Sequence, residues 1–420
     1  MSSVSGIARS TLRTIYYGGS VKKTMTDIVL VDTIAHVDPD EWDELAKRNI
    51  TASHAWLRLV EETSLYPRQC RCLLAREGSR LQSAIFLWEY KRSDIQNTVD
   101  YVLFGRLART ARLFGLTVLP AFVGGEAAGH RQTILFRGDL SGTDRRRLLS
   151  RMLCFLENTA PTKDRTLCFR GVPVDDADLR AVFSSRRYLC SPELPVCCLD
   201  IRWKSFAEYL QALRKQHPQT AKCIRSEIKR LRRVGISIQR LDEPAAVCGR
   251  LHALADSHYR RLNGKPFPFR SGFFEEIKSR LGDRAIISTA VRDGLIIGVQ
   301  VRLSSDGHAT VPIIGIDPEH VRKDAIYFNL LYNHSISDAI EEGLLQLRFG
   351  THVYDTKIRR GCQLSEANLY LRPGNGFRGL LMRPAIVLRT LRMRTVIRTL
   401  LGKNPTSGAP ELHNAGGERS

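Results

Sequence analysis

Two Asp-Gly pairs, Asp293-Gly294 and Asp306-Gly307, separate hydrophobic stretches in the second half of the chain. Asp-Gly favours the type I′ turn, whose twist matches that of paired antiparallel strands. From Leu295 to Leu303 every second residue is apolar, as a half-buried strand requires. The pattern therefore predicts a three-stranded antiparallel meander over residues 285–291, 295–303 and 308–314.

Helical patterns surround this meander. Ser205 and Glu208 form a capping-box pair that starts one helix, and Pro218 and Gly235 bound the next. Apolar spacing predicts helices over 247–258 and 324–342 and a strand over 345–349. The first half has a similar order, with helices over 38–45, 53–62 and 144–158, a hairpin over 70–76 and 81–90, and a strand over 166–171.

Because this order occurs twice, we expect an α+β protein with two tandem lobes, each a mixed, mainly antiparallel sheet flanked by helices. The length of 420 residues fits two cores, since one core usually splits beyond ~250–300 residues. The predicted lobes span 25–202 and 203–375. A basic helix follows over 376–403.

The composition excludes a wholly disordered chain, because 43% of the residues are hydrophobic and 25% are charged. The 64 basic residues exceed the 43 acidic ones, which gives a net charge of +21 and favours an anionic partner. The ten cysteines contain no CxxC pair and predict reduced thiols in a cytoplasmic protein. Residues 1–24 form a predicted disordered basic leader, with Met25 as an alternative start, and 404–420 a predicted disordered tail.

Residues 376–403 combine arginines with leucines, isoleucines and valines at helical spacing and include no acid. The spacing predicts an apolar side and an arginine-rich side. Such a helix is typical of a membrane interface, which would make the protein peripherally membrane-associated. The alternative is a helix docked on the protein's own core, with its arginines in water.

Three groups of motifs occur in a fixed order along the chain. They are Glu41-Trp42 with residues 53–57, the segment from Ser205 to Ile236, and the closing set 339–343, Phe349-Gly350 and 357–361. This order resembles the GNAT acyltransferase superfamily. It is similar in particular to the two-lobed branch that includes Fem-type peptidyltransferases and GNAT-like peptidoglycan biosynthesis or recognition proteins. The similarity spans about residues 38–372.

The resemblance implies transfer of an acyl or aminoacyl group to an amine acceptor by the C-terminal lobe. It implies no tightly bound cofactor, and acyl-CoA, acyl carrier protein or aminoacyl-tRNA as co-substrate. In GNAT folds the donor lies where two strands splay and at the start of the next helix. The corresponding positions here are Val311, Ile313 and Gly315, then Arg322 and Lys323. The loop 322–325 has no glycine, unlike the usual acetyl-CoA loop, and Fem-type enzymes also lack that loop.

The closing set supplies a candidate for catalysis. Lys357 would stabilise an oxyanion or hold a donor phosphate, with Arg359 and Arg360 as further donor-binding residues. The alternative is a solvated basic turn. His258 would deprotonate the amine, unless it is a core histidine, and Tyr327 would protonate the leaving group, unless it serves packing. No Ser/His/Asp order or metal-spaced His/Cys cluster appears.

One helix carries a stripe of five cations beside its apolar stripe, with Glu227 as its only acid. We call this stripe the basic face; it consists of Lys222, Arg225, Lys229, Arg232 and Arg233. It predicts a polyanion-binding surface for a tRNA acceptor stem, an acyl carrier protein or an anionic phospholipid. A merely solvated face is the alternative. The competing function is a non-catalytic binding module that uses such basic faces for nucleic acid or membrane.

Overall fold

The computed structural model describes residues 26–65, 69–94, 98–125, 132–159, 165–320, 325–374 and 377–402. The predicted leader and tail, together with Arg322 and Lys323, lie outside the described residues.

Helices and strands alternate in two sets along the chain. The strands are β1 (Thr26–Val31), β2 (Gln69–Glu77), β3 (Arg80–Tyr90), β4 (Ala121–Gly124), β5 (Ile134–Phe136), β6 (Thr166–Pro173), β7 (Leu189–Pro192), β8 (Val196–Asp200), β9 (Ser237–Arg240), β10 (Ala285–Arg292), β11 (Leu295–Ser305), β12 (His308–Ile316), β13 (Gln346–Arg348), β14 (Gln363–Ser365) and β15 (Ala367–Arg372). The helices are α1 (Pro39–Ala46), α2 (His54–Thr63), α3 (Thr98–Phe104), α4 (Ala108–Leu113), α5 (Gly142–Asn158), α6 (Ala177–Ser185), α7 (Phe206–Gln216), α8 (Pro218–Arg233), α9 (Cys248–Asn263), α10 (Phe273–Leu281), α11 (Ile326–Phe328), α12 (Ser335–Glu341), α13 (Tyr354–Arg359) and α14 (Phe377–Gly402).

Two of these helices are joined by a wider turn. The π-helical segment Asn329–His334 connects α11 to α12 without a break. We call the whole element, Ile326 to Glu341, the bulged helix.

The strands form two mixed sheets. The first has the order β1-β2-β3-β4-β6-β15-β7, with β5 also on β3, and the second has the order β14-β8-β13-β12-β11-β10-β9. Among the described strands each sheet has one parallel pair, β4–β6 in the first and β12–β13 in the second. The predicted α+β architecture of two similar lobes is confirmed, and we name the lobes first and second after their sheets.

The meander predicted from the Asp-Gly pairs is also confirmed. Asp293 and Asp306 have φ of 49° and 47°, and the glycines after them have φ of 76° and 74°. Both central residues of a type I′ turn need positive φ, which Asp-Gly accepts more readily than most pairs. β10, β11 and β12 therefore pair in antiparallel order.

Each sheet also takes one strand from the opposite half of the chain. β8 precedes residue 202 but lies beside β13 in the second sheet, and β15 follows the second lobe's strands but lies between β6 and β7 in the first. The predicted boundary at residues 202 and 203 divides the chain once, whereas each sheet contains strands from both sides of that boundary. One strand in each direction therefore interlocks the lobes.

The lobes also share apolar core. Trp56 of α2 contacts Phe269 and Phe273 edge to face, with ring centroids 6.4 and 6.3 Å apart. Arg280 of α10 binds Glu62 of α2 at 2.5 Å. The three aromatic residues belong to a single buried hydrophobic cluster that extends into both lobes.

The basic C-terminal helix is present as α14 and docks on the first lobe. Met382, Ile386 and Ile397 are buried, and the buried Arg389 donates to the carbonyl oxygens of Val102 at 2.9 Å and Pro192 at 2.8 Å. The predicted separation into an apolar and an arginine-rich side is wrong, because Val387, Leu388 and Leu391 are exposed. The docked face already uses other apolar residues of the helix.

Within the described residues, no helix is both long and apolar enough to cross a membrane. All ten cysteines are free.

Candidate active site

The two parallel strands of the second sheet diverge. β12 pairs with β13 only where His308–Thr310 face Gln346–Arg348, whereas its pairing with β11 reaches Ile316. Among the described strands, none borders the second edge of residues 311–316. We call the gap between this edge and the end of β13 the wedge. An open strand edge can hydrogen-bond to an extended ligand chain.

Helices cover both faces of the sheet beside the wedge. Gly315 faces α9, because a Cβ atom there would lie 2.6 Å from the amide nitrogen of Ala255. The next residue, Ile316, points to the other face and clusters with Ile326 of the bulged helix. Nevertheless His258 of α9 and Tyr327 of the bulged helix stack with ring centroids 6.4 Å apart. Helices on opposite faces of a sheet meet only beyond its paired edge, so this contact lies at the wedge.

A buried ion pair lies behind these rings. Both carboxylate oxygens of Glu227 on α8 accept from Arg360 at 2.8 Å. The guanidinium also lies 5.2 Å from the ring centroid of Phe328 and 5.0 Å from that of Tyr332, at cation–π distance. Arg360 is 4% exposed, so its charge is held by one carboxylate and two aromatic rings.

The π-helical segment directs two asparagines toward Glu227, one to its carboxylate and one to its backbone oxygen. Asn333 donates to Glu227 Oε2 at 3.0 Å, and Asn329 donates to the Glu227 backbone oxygen at 3.0 Å. π-Bulges within helices occur frequently at functional sites. Here the wider turn adds a buried polar layer beside the wedge.

Several buried polar atoms of this region have no partner. Of the six such side-chain atoms among the described residues, five lie in the second lobe: His258 Nε2, Gln300 Oε1, Tyr332 Oη, Asn333 Oδ1 and Arg360 Nε. Native proteins leave few buried polar atoms unsatisfied. The rings of Tyr327 and Tyr332 are also in contact, with centroids 6.0 Å apart. Together with the contacts described above, this links all of these atoms except Gln300 Oε1 into one group. A ligand with donor and acceptor groups would satisfy this group, so we take it as the candidate active site.

The protonation of His258 follows from its neighbour. Arg261 donates to His258 Nδ1 at 3.0 Å, and arginine has no acceptor. The proton of the neutral ring therefore lies on Nε2, the unpartnered atom. Burial, and secondarily the Arg261 charge, lower the pKa of His258 to about 4. At neutral pH this arrangement makes His258 a hydrogen-bond donor, a role different from the predicted base.

Lys357 binds the turn that leads β13 away from β12. Its Nζ atom donates to the backbone oxygens of Phe349 at 2.7 Å, Gly350 at 3.3 Å and Thr351 at 3.0 Å. The side chain is 3% exposed, and burial lowers the pKa of its ammonium group. An ammonium group has three protons, so these carbonyls use all its donors. The geometry favours a positioning role that keeps the wedge open, and the predicted oxyanion role stays a prediction.

Replacing Lys357 with methionine tests this positioning role. We expect the free energy of unfolding to fall by about 2–4 kcal/mol, because three carbonyls lose a shared charged donor. Urea unfolding of both proteins measures the change. The neighbouring Arg359 is exposed and provides the matched control, since its replacement by methionine should leave stability unchanged. A stable Lys357→Met protein with reduced transfer would instead support the oxyanion role.

His258 makes stability depend on pH in a defined window. The unfolded state takes up a proton near pH 6.5 and the folded state only near pH 4, so acidification between these values favours unfolding. Wild type should lose about 2 kcal/mol more stability between pH 7 and pH 5 than the His258→Gln variant. Chemical denaturation at both pH values measures the difference. Equal losses would mean that the folded protein binds this proton as readily as the unfolded chain.

The basic face lies on the outside of α8. All five of its residues are exposed, and no ion pair involving them is found among the described residues. Glu227, the only acid of the helix, points inward to Arg360. The face is therefore more strongly cationic than the sequence of the helix indicates.

The predicted donor-binding residues lie at the wedge in different ways. The side chain of Ile313 and the Cβ position of Gly315 face the core against α9, and Val311 is half-buried. Since strand side chains stand perpendicular to the sheet, only the backbone of these three residues borders the wedge. Arg359 is exposed, whereas Arg360 is buried in its ion pair.

Four residues of the candidate site were not predicted from the sequence: Glu227, Tyr332, Asn329 and Asn333. A signal was available for the asparagines, because their spacing of four residues places both on one face of an apolar helix. Glu227 gave no such signal, since an acid among cations on a helix ordinarily lies in solvent.

The first lobe has no matching wedge within its described residues. β4 pairs with β6 over its entire length, from Ala121 to Gly124. At Gly125 a Cβ atom would lie 2.3 Å from the Arg170 backbone oxygen, so the two chains stay in close contact. The asymmetry assigns the candidate site to the second lobe.

Comparisons with known proteins agree with this architecture. Residues 218–357 match the model of the acetyltransferase (GNAT) domain family. The fold is similar to the C-terminal domain of a lysylphosphatidylglycerol synthetase from Agrobacterium fabrum, at 10% identity and a TM-score of 0.52, covering 86% of this chain and 97% of that one. It is also similar to FemX, at 11% identity and a TM-score of 0.51, covering 79% of this chain and 96% of that one. No curated protein matches the sequence.

These similarities and the two sheets define the fold. The chain has a two-lobed GNAT-like fold, and residues 218–357 of its second lobe match the acetyltransferase (GNAT) domain family.

Proposed function

We propose that the second lobe transfers an acyl or aminoacyl group from an activated ester or thioester to an amine. The observation that carries this proposal is the coincidence of the wedge with the four linked, unpartnered atoms of His258, Tyr332, Asn333 and Arg360. The open strand edge of the wedge can hydrogen-bond to an extended donor arm. The unpartnered atoms can hydrogen-bond to the polar reacting groups at the end of that arm.

The proposed step conserves atoms and charge. The amine nitrogen attacks the donor carbonyl carbon, a C–N bond forms, and the C–O or C–S bond to the carrier breaks. The leaving oxygen or sulfur takes up the proton that the amine loses. The product is an amide and the free carrier.

Three side chains have proposed roles in this step. His258 donates from Nε2 to the developing oxyanion, the kind of contact that lowers such barriers by several kcal/mol. Burial raises the pKa of Tyr327 and of Tyr332, which keeps both hydroxyl groups protonated at neutral pH. Protonated hydroxyl groups can return a proton to the leaving group.

The basic face favours aminoacyl-tRNA as the donor. It lies on α8, the helix whose Glu227 reaches the candidate site, so an RNA bound along the face would have its end close to the wedge. RNA phosphates accept arginine and lysine without sequence recognition. Acyl-CoA and acyl carrier protein are the alternative donors. The loop 322–325 lacks the glycines of an acetyl-CoA loop.

Turnover by the purified chain tests this proposal. We would incubate it with charged tRNA or with acyl-CoA thioesters, add simple amines, and detect new amides by mass spectrometry. The proposal requires an amide that depends on the protein and on one donor class. Binding of tRNA without any amide product would instead support the competing function, a non-catalytic binding module.

A further inference from the structure

The first lobe has a surface that differs from the rest of the described protein. Eight of the thirteen exposed large hydrophobic residues lie on only two segments, 98–114 and 377–402. We call this region the apolar–arginine surface; its apolar members are Tyr101, Leu107, Leu113, Phe114, Val387, Leu388, Leu391 and Val396. Single exposed leucines are ordinary, whereas such a concentration marks an interaction surface.

The two segments are in contact. Arg389 of α14 donates to the Val102 oxygen of α3 at 2.9 Å, and the Arg392 guanidinium lies next to Gly105, 3.9 Å from the position of a Cβ atom there. Leu388 and Leu391 are sequence neighbours of these two arginines, and Leu107 is two residues beyond Gly105. The two segments therefore adjoin on the first lobe, and we treat their exposed groups as one surface.

Cations accompany the apolar residues. Arg109, Arg383, Arg392, Arg394 and Arg398 are exposed. α14 contains no acid, and the only acid of 98–114, Asp100, is buried and accepts from the Val118 amide at 2.9 Å and the Thr117 hydroxyl at 2.7 Å. The surface thus combines positive charge with bulky apolar side chains.

We infer that this surface binds an anionic lipid bilayer. Leu113 is 86% exposed and Phe114 is 79% exposed, so both protrude and can insert among acyl chains while the arginines contact headgroup phosphates. A polynucleotide would contact the arginines but not the leucines. A second copy of the chain would place like charges opposite each other. Binding here does not depend on the proposed transfer reaction, since the surface belongs to the first lobe.

Vesicle cosedimentation of the full-length protein tests the inference. Wild type should sediment with phosphatidylglycerol vesicles and remain in solution with phosphatidylcholine vesicles. The Arg392→Glu/Arg394→Glu variant should bind at least about 25-fold more weakly, because each arginine near an anionic leaflet contributes about fivefold. The Leu113→Ser/Phe114→Ser variant should lose binding while keeping its charge.

The matched control is Leu295→Ser/Leu345→Ser, which removes leucines of the second lobe that are 68% and 60% exposed. It should bind as wild type does, and circular dichroism should show all variants folded. Equal losses in the control, or unchanged binding of the Leu113→Ser/Phe114→Ser variant, would overturn the inference. A wild-type dimer that dissociates in that variant would identify a second copy as the occupant and overturn it as well.

Discussion

Replacing Arg360 with methionine is expected to lower the free energy of unfolding by about 3 kcal/mol and to reduce acyl transfer roughly 10²-fold. The variant leaves the Glu227 carboxylate buried without its cation, and removing one partner of a buried ion pair is strongly destabilising. It also removes an unpartnered Nε donor from the candidate site. Urea unfolding measures the first effect, and kcat/KM with the donor identified by turnover measures the second.

The double variant Glu227→Met/Arg360→Met separates the two effects. Replacing both partners with apolar residues removes the uncompensated charge, so most of the lost stability should return. Transfer should stay low, because the donor is still missing. If transfer returned together with stability, Arg360 would support the fold only.

Reversing two charges of the basic face should weaken the binding of tRNA. The Arg225→Glu/Lys229→Glu variant is expected to bind tRNA roughly 30-fold more weakly near physiological salt, because each lost phosphate contact forgoes the release of a counterion. The slope of log affinity against log salt concentration should decrease by nearly two units. Filter binding over a range of salt concentrations measures both quantities.

The control for this prediction carries the same charge change elsewhere. Arg180 and Lys204 are exposed and lie outside the basic face, and their replacement by glutamate should change affinity and slope much less. If both variants weakened binding equally, tRNA would respond to the net charge of the protein and not to α8.

Local signals in the sequence predicted local structure. The Asp-Gly turns define the meander because type I′ geometry is decided by two adjacent residues. Likewise Pro218 begins α8, and Gly235, with φ of 69°, follows its end. The wedge position was predictable through family resemblance, since it depends on where β12 stands in the order of elements.

Long-range pairings could not be predicted in this way. Glu227 and Arg360 are separated by 133 positions, and nothing in the periodicity of α8 distinguishes a carboxylate that turns inward. The exchange of β8 and β15 between the sheets was equally unpredictable, because the sequence of a short apolar strand does not indicate which sheet it joins. The basic closing turn was visible in the sequence, but the three carbonyls that hold Lys357 were not.

Hydrogen exchange measured by mass spectrometry would show whether the donor occupies the wedge of the second lobe. The purified chain would be compared alone, with charged tRNA and with acyl-CoA. We expect one donor to slow exchange at the amides of residues 311 and 313–316 and at the start of the bulged helix, while exchange in β4 and β6 is unchanged. Protection confined to β4 and β6, or to α8 without the wedge, would contradict this expectation.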